Sequence, residues 1–278
     1  MKVIYHGNCT DGFTAAWVAW TEYGDAAEYI PAQYGDEPPD VVGHDVLILD
    51  FSYPRDVLER LHAAANTLLV LDHHKTAEES LRGLPFAQFD MDRSGAGMAW
   101  DELRGGPRPS LVDYVEDRDL WRWRLPQSRE ISAYISSWPR EFGNWEIINR
   151  VLTADSMVAS VAGGAVLRCT DRYVDGRCAN PPPLAIIGGH EVPCLNSTHA
   201  ISELAGKLAE AHLFAACWFQ RDDGKFVYSL RSRGDFDVSA VAKQYGGGGH
   251  KGAAGFTVDA LLTPVTRAAA EGGTADAL

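Results

Sequence analysis

A chain of 278 residues that is 46% hydrophobic and 23% charged has enough apolar material for one large or two ordinary domains with real cores. Its net charge of −13 excludes a broad, non-specific grip on long nucleic acid, long duplexes included, because such a grip needs many Lys and Arg contacts to phosphate. A short anionic ligand held locally by metal stays within what the charge allows.

In chain order, Lys2 to Tyr5 reads as a buried strand that stops at His6. The loop His6-Gly7-Asn8-Cys9-Thr10-Asp11-Gly12 then leads into a helical segment with Phe13, Trp17 and Trp20 on one face. His6, Cys9 and Asp11 therefore sit between strand and helix, the usual place for a site in an open α/β sheet; the bland alternative is a turn with Thr10 or Asp11 as helix N-cap. Ala27 to Pro31 suggests a second strand, and residues 33–44 a loop rich in Gly, Pro and Asp. The aliphatic run Val46 to Leu49 stops at Asp50 and is followed by a helix from about Arg55 to Ala65. Thr67 to Leu71 repeats the arrangement and ends in Asp72-His73-His74. Short aliphatic runs separated by helices read as strands of a parallel sheet, whose carboxyl ends open on one edge. The ligand-type residues at three such ends should therefore converge on a metal site.

A short strand at Phe86 to Phe89 follows, with Ser94 as N-cap of the next helix. Residues 109–116 read as helix, and Glu116-Asp117-Arg118-Asp119 as a charged turn, solvated unless one of its aspartates reaches the metal. Hard divalent ions take carboxylate oxygen and, for Mn²⁺, imidazole. A pair of them about 4 Å apart needs a carboxylate that reaches both, and activates the water between them. Asp50, on the middle strand, is the bridging candidate. His6 and Asp11 would serve opposite ions, and His73 with Asp117 or Asp119 would complete the set, leaving His74 to meet substrate.

Residues 129–137, 145–152 and 157–177 read as helices that end at Pro181-Pro182-Pro183. Beyond them come strands at 184–187 and 192–195, a helix at 200–211, a hairpin through Asp222-Asp223-Gly224, a helix at 238–245 and a small-residue tail from Ala268 to Leu278. Gly246-Gly247-Gly248-Gly249-His250 would let backbone approach a ligand and offer N–H groups to an anion, with Ala253-Ala254-Gly255 as a tight turn behind it. Arg231 suits a phosphate clamp, since guanidinium matches phosphate oxygens in pairs.

Asp72-His73-His74 after its strand, the Asp50 strand end, the His6…Asp11-Gly12 loop and the run Gly246 to Phe256 together resemble the DHH phosphoesterase superfamily with its DHH-associated C-terminal domain. The small oligoribonucleases of that superfamily are the most similar in pattern. The resemblance implies an α/β fold of three parts: a parallel-sheet DHH catalytic domain over 1–130, a helical connector over 131–180 and a smaller α/β substrate-binding domain over 181–278. The active site is expected in the cleft between the two domains, with two Mn²⁺ ions. It further implies His6, Asp11, Asp50 and His73 as ligands, Asp72 as a buttress of the catalytic group and His74 as a substrate contact beside Arg231, Gly247, Gly248, Gly249 and His250. Cys9 stands where the family usually has a carboxylate; it is either a softer ligand or a small apolar residue.

The expectation is a phosphodiesterase that hydrolyses short oligonucleotides or linear dinucleotides to mononucleotides. Alternatives are a longer-strand single-stranded exonuclease, a cyclic mononucleotide phosphodiesterase and, in another class, a catalytically impaired nucleotide-binding sensor. The five scattered cysteines argue for a reducing compartment and against a disulfide framework. No apolar stretch of roughly 18 residues stands out, and the start lacks a secretory pattern, so the expected location is cytoplasmic, with no membrane partner. A homodimer is compatible with the sequence.

Overall fold

The computed structural model describes residues 1–7 and 9–262. The expected tail, Ala268 to Leu278, lies outside them. Two compact units form, Met1–Arg172 and Tyr173–Leu278.

In the first unit the strands β1 (Lys2–His6), β2 (Glu28–Ala32), β3 (Asp45–Leu49), β4 (Thr67–Asp72) and β5 (Ala87–Phe89) make one parallel sheet in the order β2-β1-β3-β4-β5. Seven helices accompany them: α1 (Thr10–Tyr23), α2 (Arg55–Ala64), α3 (Lys75–Leu81), α4 (Gly95–Leu103), α5 (Ser110–Asp119), α6 (Ser128–Ser136) and α7 (Phe142–Cys178), whose last residues belong to the second unit. Alternate strand residues face opposite sides of a sheet, and both sides here are covered. Val3, Leu47, Leu49 and Leu71 pack with Trp17 of α1, Met98 of α4, Leu111 of α5, Ile131 of α6 and Trp145 of α7. On the other side Ile4, Val46, Ile48 and Val70 pack with Leu58 and Leu61 of α2 and Leu81 of α3. Continuous aliphatic strands are what burial on two faces demands. Each buried Leu, Ile or Val contributes about 1.5–3 kcal/mol, so this sheet is a rigid base for whatever its edge carries. The order places β1 beside β3 with helices leaving to opposite faces, the switch point where open α/β sheets open a crevice at the strands' carboxyl ends.

Local differences from the sequence reading have physical causes. Cys9, not Thr10 or Asp11, is the N-cap of α1, and it makes no side-chain cap bond; Asp11 is buried in the first turn instead. The charged run 116–119 is the last turn of α5 rather than a solvated turn, with Glu116 and Asp117 buried. Helix α3, absent from the sequence reading, follows directly on His74. The two helices expected over 145–152 and 157–177 are both present within α7 and join at Asp155 (φ −161°, ψ 99°), where the backbone leaves the helical region and the carboxylate accepts the Met157 N–H at 2.9 Å. Among the described residues α7 is the one helix long and apolar enough, by length and composition, to cross a membrane, with a mean hydropathy of 1.2 over its most apolar 18 residues. The break at Asp155 divides that run.

The second unit holds β6 (Leu184–Ile187), β7 (His190–Asn196), α8 (Ile201–Leu208), β8 (Phe214–Gln220), β9 (Phe226–Ser232), α9 (Val238–Lys243), β10 (Gly248–His250) and β11 (Ala253–Val258). Its six-stranded mixed sheet runs β10-β11-β9-β8-β7-β6, with β7 and β8 parallel and the other pairs antiparallel. Phe214, Tyr228, Leu230, Val241 and Phe256 form one core, and Leu204 of α8 packs with Ala215 and Cys217 on the other side. The segment 131–180 is largely helical and divided between the two units.

Candidate metal centre

Parallel register sets Tyr5, Leu49 and Leu71 side by side, so the next residue on each strand, His6, Asp50 and Asp72, emerges at the same edge. Asp50 turns sharply out of its strand with φ 55°, a left-handed conformation that costs a non-glycine residue energy and is retained where structure over-determines it. Two neighbours do so here. The Asp50 N–H donates to Leu71 O at 2.8 Å, and Gly95 at the start of α4 presses so close that a Cβ there would stand 2.4 Å from Asp50 Cβ. Gly12 plays the matching part for His6, since a Cβ on it would stand 2.3 Å from His6 O.

The two oxygens of Asp50 face different histidines. His6 Nδ1 lies 3.3 Å from Oδ2, and His73 Nε2 lies 3.0 Å from Oδ1. His73 Nε2 is also 3.6 Å from Asp11 Oδ2 and 3.5 Å from Asp119 Oδ2. Asp11 is fixed by the N-terminus of α4, accepting the Gly95 and Ala96 N–H groups at 2.6 and 3.1 Å, the end of a helix that favours negative charge. Three candidate ligand groups share Asp50, each with donor atoms within 4.8 Å of one another: His6, Cys9 and Asp50; Asp11, Asp50 and His73; and Asp50, Asp72 and His74, the last already closed by the Asp72–His74 contact at 2.7 Å.

The electrostatics fit cations there. Burial, then the charges of Asp50 and Asp119, push Asp11 well above the usual carboxylate range. Burial also raises Asp119, partly offset by His73. Asp50 goes the other way: burial pushes it up, but hydrogen bonds with His6 and His73 outweigh that and hold it well below. For His73 burial disfavours charge, yet Asp50, Asp119 and Asp11 raise it well above the ordinary imidazole value. The Cys9 thiol is pushed well up by burial and then by Asp50, Asp119 and Asp11. Three carboxylates crowded this closely in a dry site are stable when protonated or when met by cations, and a bound divalent ion inverts the local preference. Oxygen and imidazole donors on both sides of one carboxylate fit a pair of divalent ions.

Around this set stands a fixed frame. Asp72, fully buried, accepts the Ser52 hydroxyl, the His73 and His74 N–H groups at 2.7 and 3.1 Å, and faces His74 Nδ1 at 2.7 Å. His74 is thereby turned so that Nε2 is the nitrogen directed away from Asp72.

The structure separates the two aspartates that the sequence left open. Asp117 does not point to the centre. Its carboxylate accepts the Arg124 N–H at 2.9 Å, the Leu125 N–H at 3.3 Å and the Ser128 hydroxyl, so it stitches the loop in which Trp121 and Trp123 adopt positive φ. Two residues further on, Asp119 reaches His73, because half a helical turn separates their directions.

Sequence reasoning missed Tyr34, Phe51 and Ser52. Tyr34, from the loop after β2, is 56% exposed and stands edge-on to His6 and His74, with ring centroids 5.7 and 6.1 Å away, while Phe51 backs it at 5.1 Å. An aromatic residue in a polar loop beside a strand end was the available signal.

In the second unit the glycine run is not a free loop. Gly246 (φ 75°) closes α9, with the Gly247 N–H donating to Ala242 O at 3.0 Å, and Gly248 to His250 form β10 against β11. A Cβ on Gly247 would meet Gly255 O at 2.1 Å, and one on Gly249 would meet Ala253 O at 2.6 Å. The run thus lets two strands approach, and Ala253-Ala254-Gly255 is strand rather than tight turn. Arg231, on β9, donates to Leu230 O at 2.8 Å and to Ser202 Oγ at 2.7 Å.

Residues 194–271 match the DHHA1 domain. Over 293 aligned residues the chain is 29% identical to uncharacterized protein R106 of Acanthamoeba polyphaga mimivirus, covering 93% of this chain and 68% of the viral protein. A pGpG-specific phosphodiesterase, PggH of Vibrio cholerae, is similar at TM-score 0.49 and 12% identity over 92% of both chains. An uncharacterized protein of Helicobacter pylori G27 is similar at TM-score 0.47 and 16% identity, over 94% of this chain and 93% of that one. Residues 194–271 thus match a DHHA1 domain, and they follow a parallel-sheet unit whose Asp72-His73-His74 lies in a cluster of carboxylates and imidazoles, the arrangement by which the chain resembles the DHH phosphoesterase superfamily.

Proposed function

We propose that this protein hydrolyses phosphodiester bonds of short oligonucleotides or linear dinucleotides, releasing mononucleotides. The observation that carries the reading is the pair of ligand groups hinged on the two oxygens of Asp50. Divalent ions, when bound, supply charge to the phosphoryl oxygens and lower the pKa of an attacking water. In this reading His6, Cys9 and Asp50 would hold one ion, and Asp50, Asp11, His73 and Asp119 the other. Asp72 accepts from His74 Nδ1–H and so fixes the ring, and as the imidazolium His74 would donate its Nε2–H to a phosphoryl oxygen, where negative charge grows as the bond breaks. Tyr34 offers an aromatic face to the base or sugar beside the scissile phosphate, a contact worth about 1–3 kcal/mol per stacked base. The net charge of −13 suits a substrate with few phosphates gripped locally.

The test is release of mononucleotides from labelled RNA dinucleotides and pentanucleotides, with Mn²⁺, Mg²⁺, Fe²⁺ or Zn²⁺ added in turn. Turnover of the short substrates supports the reading. Tight dinucleotide binding without turnover in any of these metals would make the protein a sensor instead.

A further inference from the structure

The second half of α7, beyond the break at Asp155, has one side seated on the first unit and one side bare. Ala159, Ser160 and Gly163 are buried, and Gly163 lies so close to α6 that a Cβ would stand 1.8 Å from Glu130 O. The opposite side presents Met157, Val158, Val161 and Val166, exposed by 52, 57, 72 and 36%, with Ala162 and Ala165 exposed between them. These positions recur at helical spacing and form a contiguous apolar face rather than scattered surface residues. Charges stand only toward its ends: Asp155 at the amino end and Arg168 near the carboxyl end, both exposed. Asp155 is engaged with the Met157 N–H, and among the described residues Arg168 has no ion pair.

We propose that this face binds the same face of a second copy of the chain in antiparallel fashion. A two-fold axis beside Val161 and Ala162 sets Val161 of one copy against Ala162 of the other, Val158 against Ala165 and Met157 against Val166. The same axis places each Asp155 against the other copy's Arg168, 13 residues away along the helix, or roughly 20 Å at the α-helical rise. Only an antiparallel partner with this charge order satisfies both ends at once, and an isologous contact of this kind closes on itself as a dimer. A parallel pairing would set like charges together. A bilayer would leave Asp155 and Arg168 in apolar surroundings without partners. Ala162 and Ala165 let the backbones approach, while Met157 and the valines supply the apolar contact. A patch of about four helical turns sits at the lower end of the range for stable interfaces, so the dimer dissociates measurably on dilution.

Sedimentation equilibrium of the full-length protein over a range of concentrations tests this. A reversible monomer–dimer equilibrium is expected, with Val161→Glu weakening association by about tenfold or more. Arg168→Asp alone and Asp155→Arg alone should each weaken self-association, whereas an equimolar mixture of the two variants should associate as strongly as the wild type, because each interface then carries two opposite-charge pairs. Asp155→Arg also removes a helix cap, so its circular dichroism and melting are followed; the mixing result is read against the Arg168→Asp protein, whose cap is intact. A wild-type monomer at all concentrations overturns the proposal. So does a dimer that tolerates Val161→Glu, a mixture that stays monomeric, or co-sedimentation of the wild type with neutral phosphatidylcholine vesicles.

Discussion

Glycine does different work in the two units. At the sheet edge of the first, Gly12 and Gly95 bring backbone against His6 and Asp50, and the close approach holds charged side chains where they would otherwise repel. In the second, Gly247 and Gly249 bring strand against strand. The lesson is that a glycine run signals close approach without naming what approaches. The isolated glycines beside the carboxylates, not the conspicuous run of four, are the ones in contact with the proposed chemistry.

Substitutions can break this contrast. The largest effect expected is from Asp50→Ala, which removes the carboxylate common to the three ligand groups that contain it; turnover should fall to background, with loss of divalent binding in titration calorimetry. Near-normal rates would refute the shared-ligand geometry. Next, Gly95→Ala should displace Asp50 and cut kcat on the order of 10²-fold, the cost of a misplacement of about 1 Å, beyond an overpacking cost of about 1–3 kcal/mol in stability. Gly247→Ala should cost stability alone, about 1–3 kcal/mol in denaturant unfolding through overpacking against β11, with metal binding to the first unit intact. If both glycine variants lose only stability, the contrast is wrong.

The aspartate pair sharpens it further. Asp119→Asn should weaken divalent-metal binding with little change in stability, whereas Asp117→Asn should destabilise by about 1–3 kcal/mol, since buried donors of the 124–128 loop lose their ionised acceptor. Metal affinity after Asp117→Asn should stay near wild type. The smallest effect concerns pH. In the metal-free protein Asp11 and Asp119 hold protons above the ordinary carboxylate range, and His73 above the ordinary imidazole range. Because these protons must leave for an ion to bind, affinity should rise as pH rises through the neutral range, with proton release seen as a buffer-dependent binding enthalpy. Affinity independent of pH would exclude these residues as ligands.

The sequence by itself determined the parallel sheet and the composition of its edge. Aliphatic runs of strand length can be buried on both faces only in such a sheet, and the side chain that ends each run must then appear at the same rim. That logic reached His6, Asp50, Asp72, His73 and His74, and it reached Asp11 because a loop between strand and helix has nowhere else to go. Tertiary structure alone decided the rest. Whether Asp117 or Asp119 turns to His73 depends on α5 continuing for one more turn than its charges suggest. Tyr34 reaches His74 across a loop whose path no periodicity records. The glycine run became a strand because β11 was there to pair with it. Periodicity fixes which face of an element is buried, whereas the direction of one side chain at its end depends on neighbours that are distant in sequence.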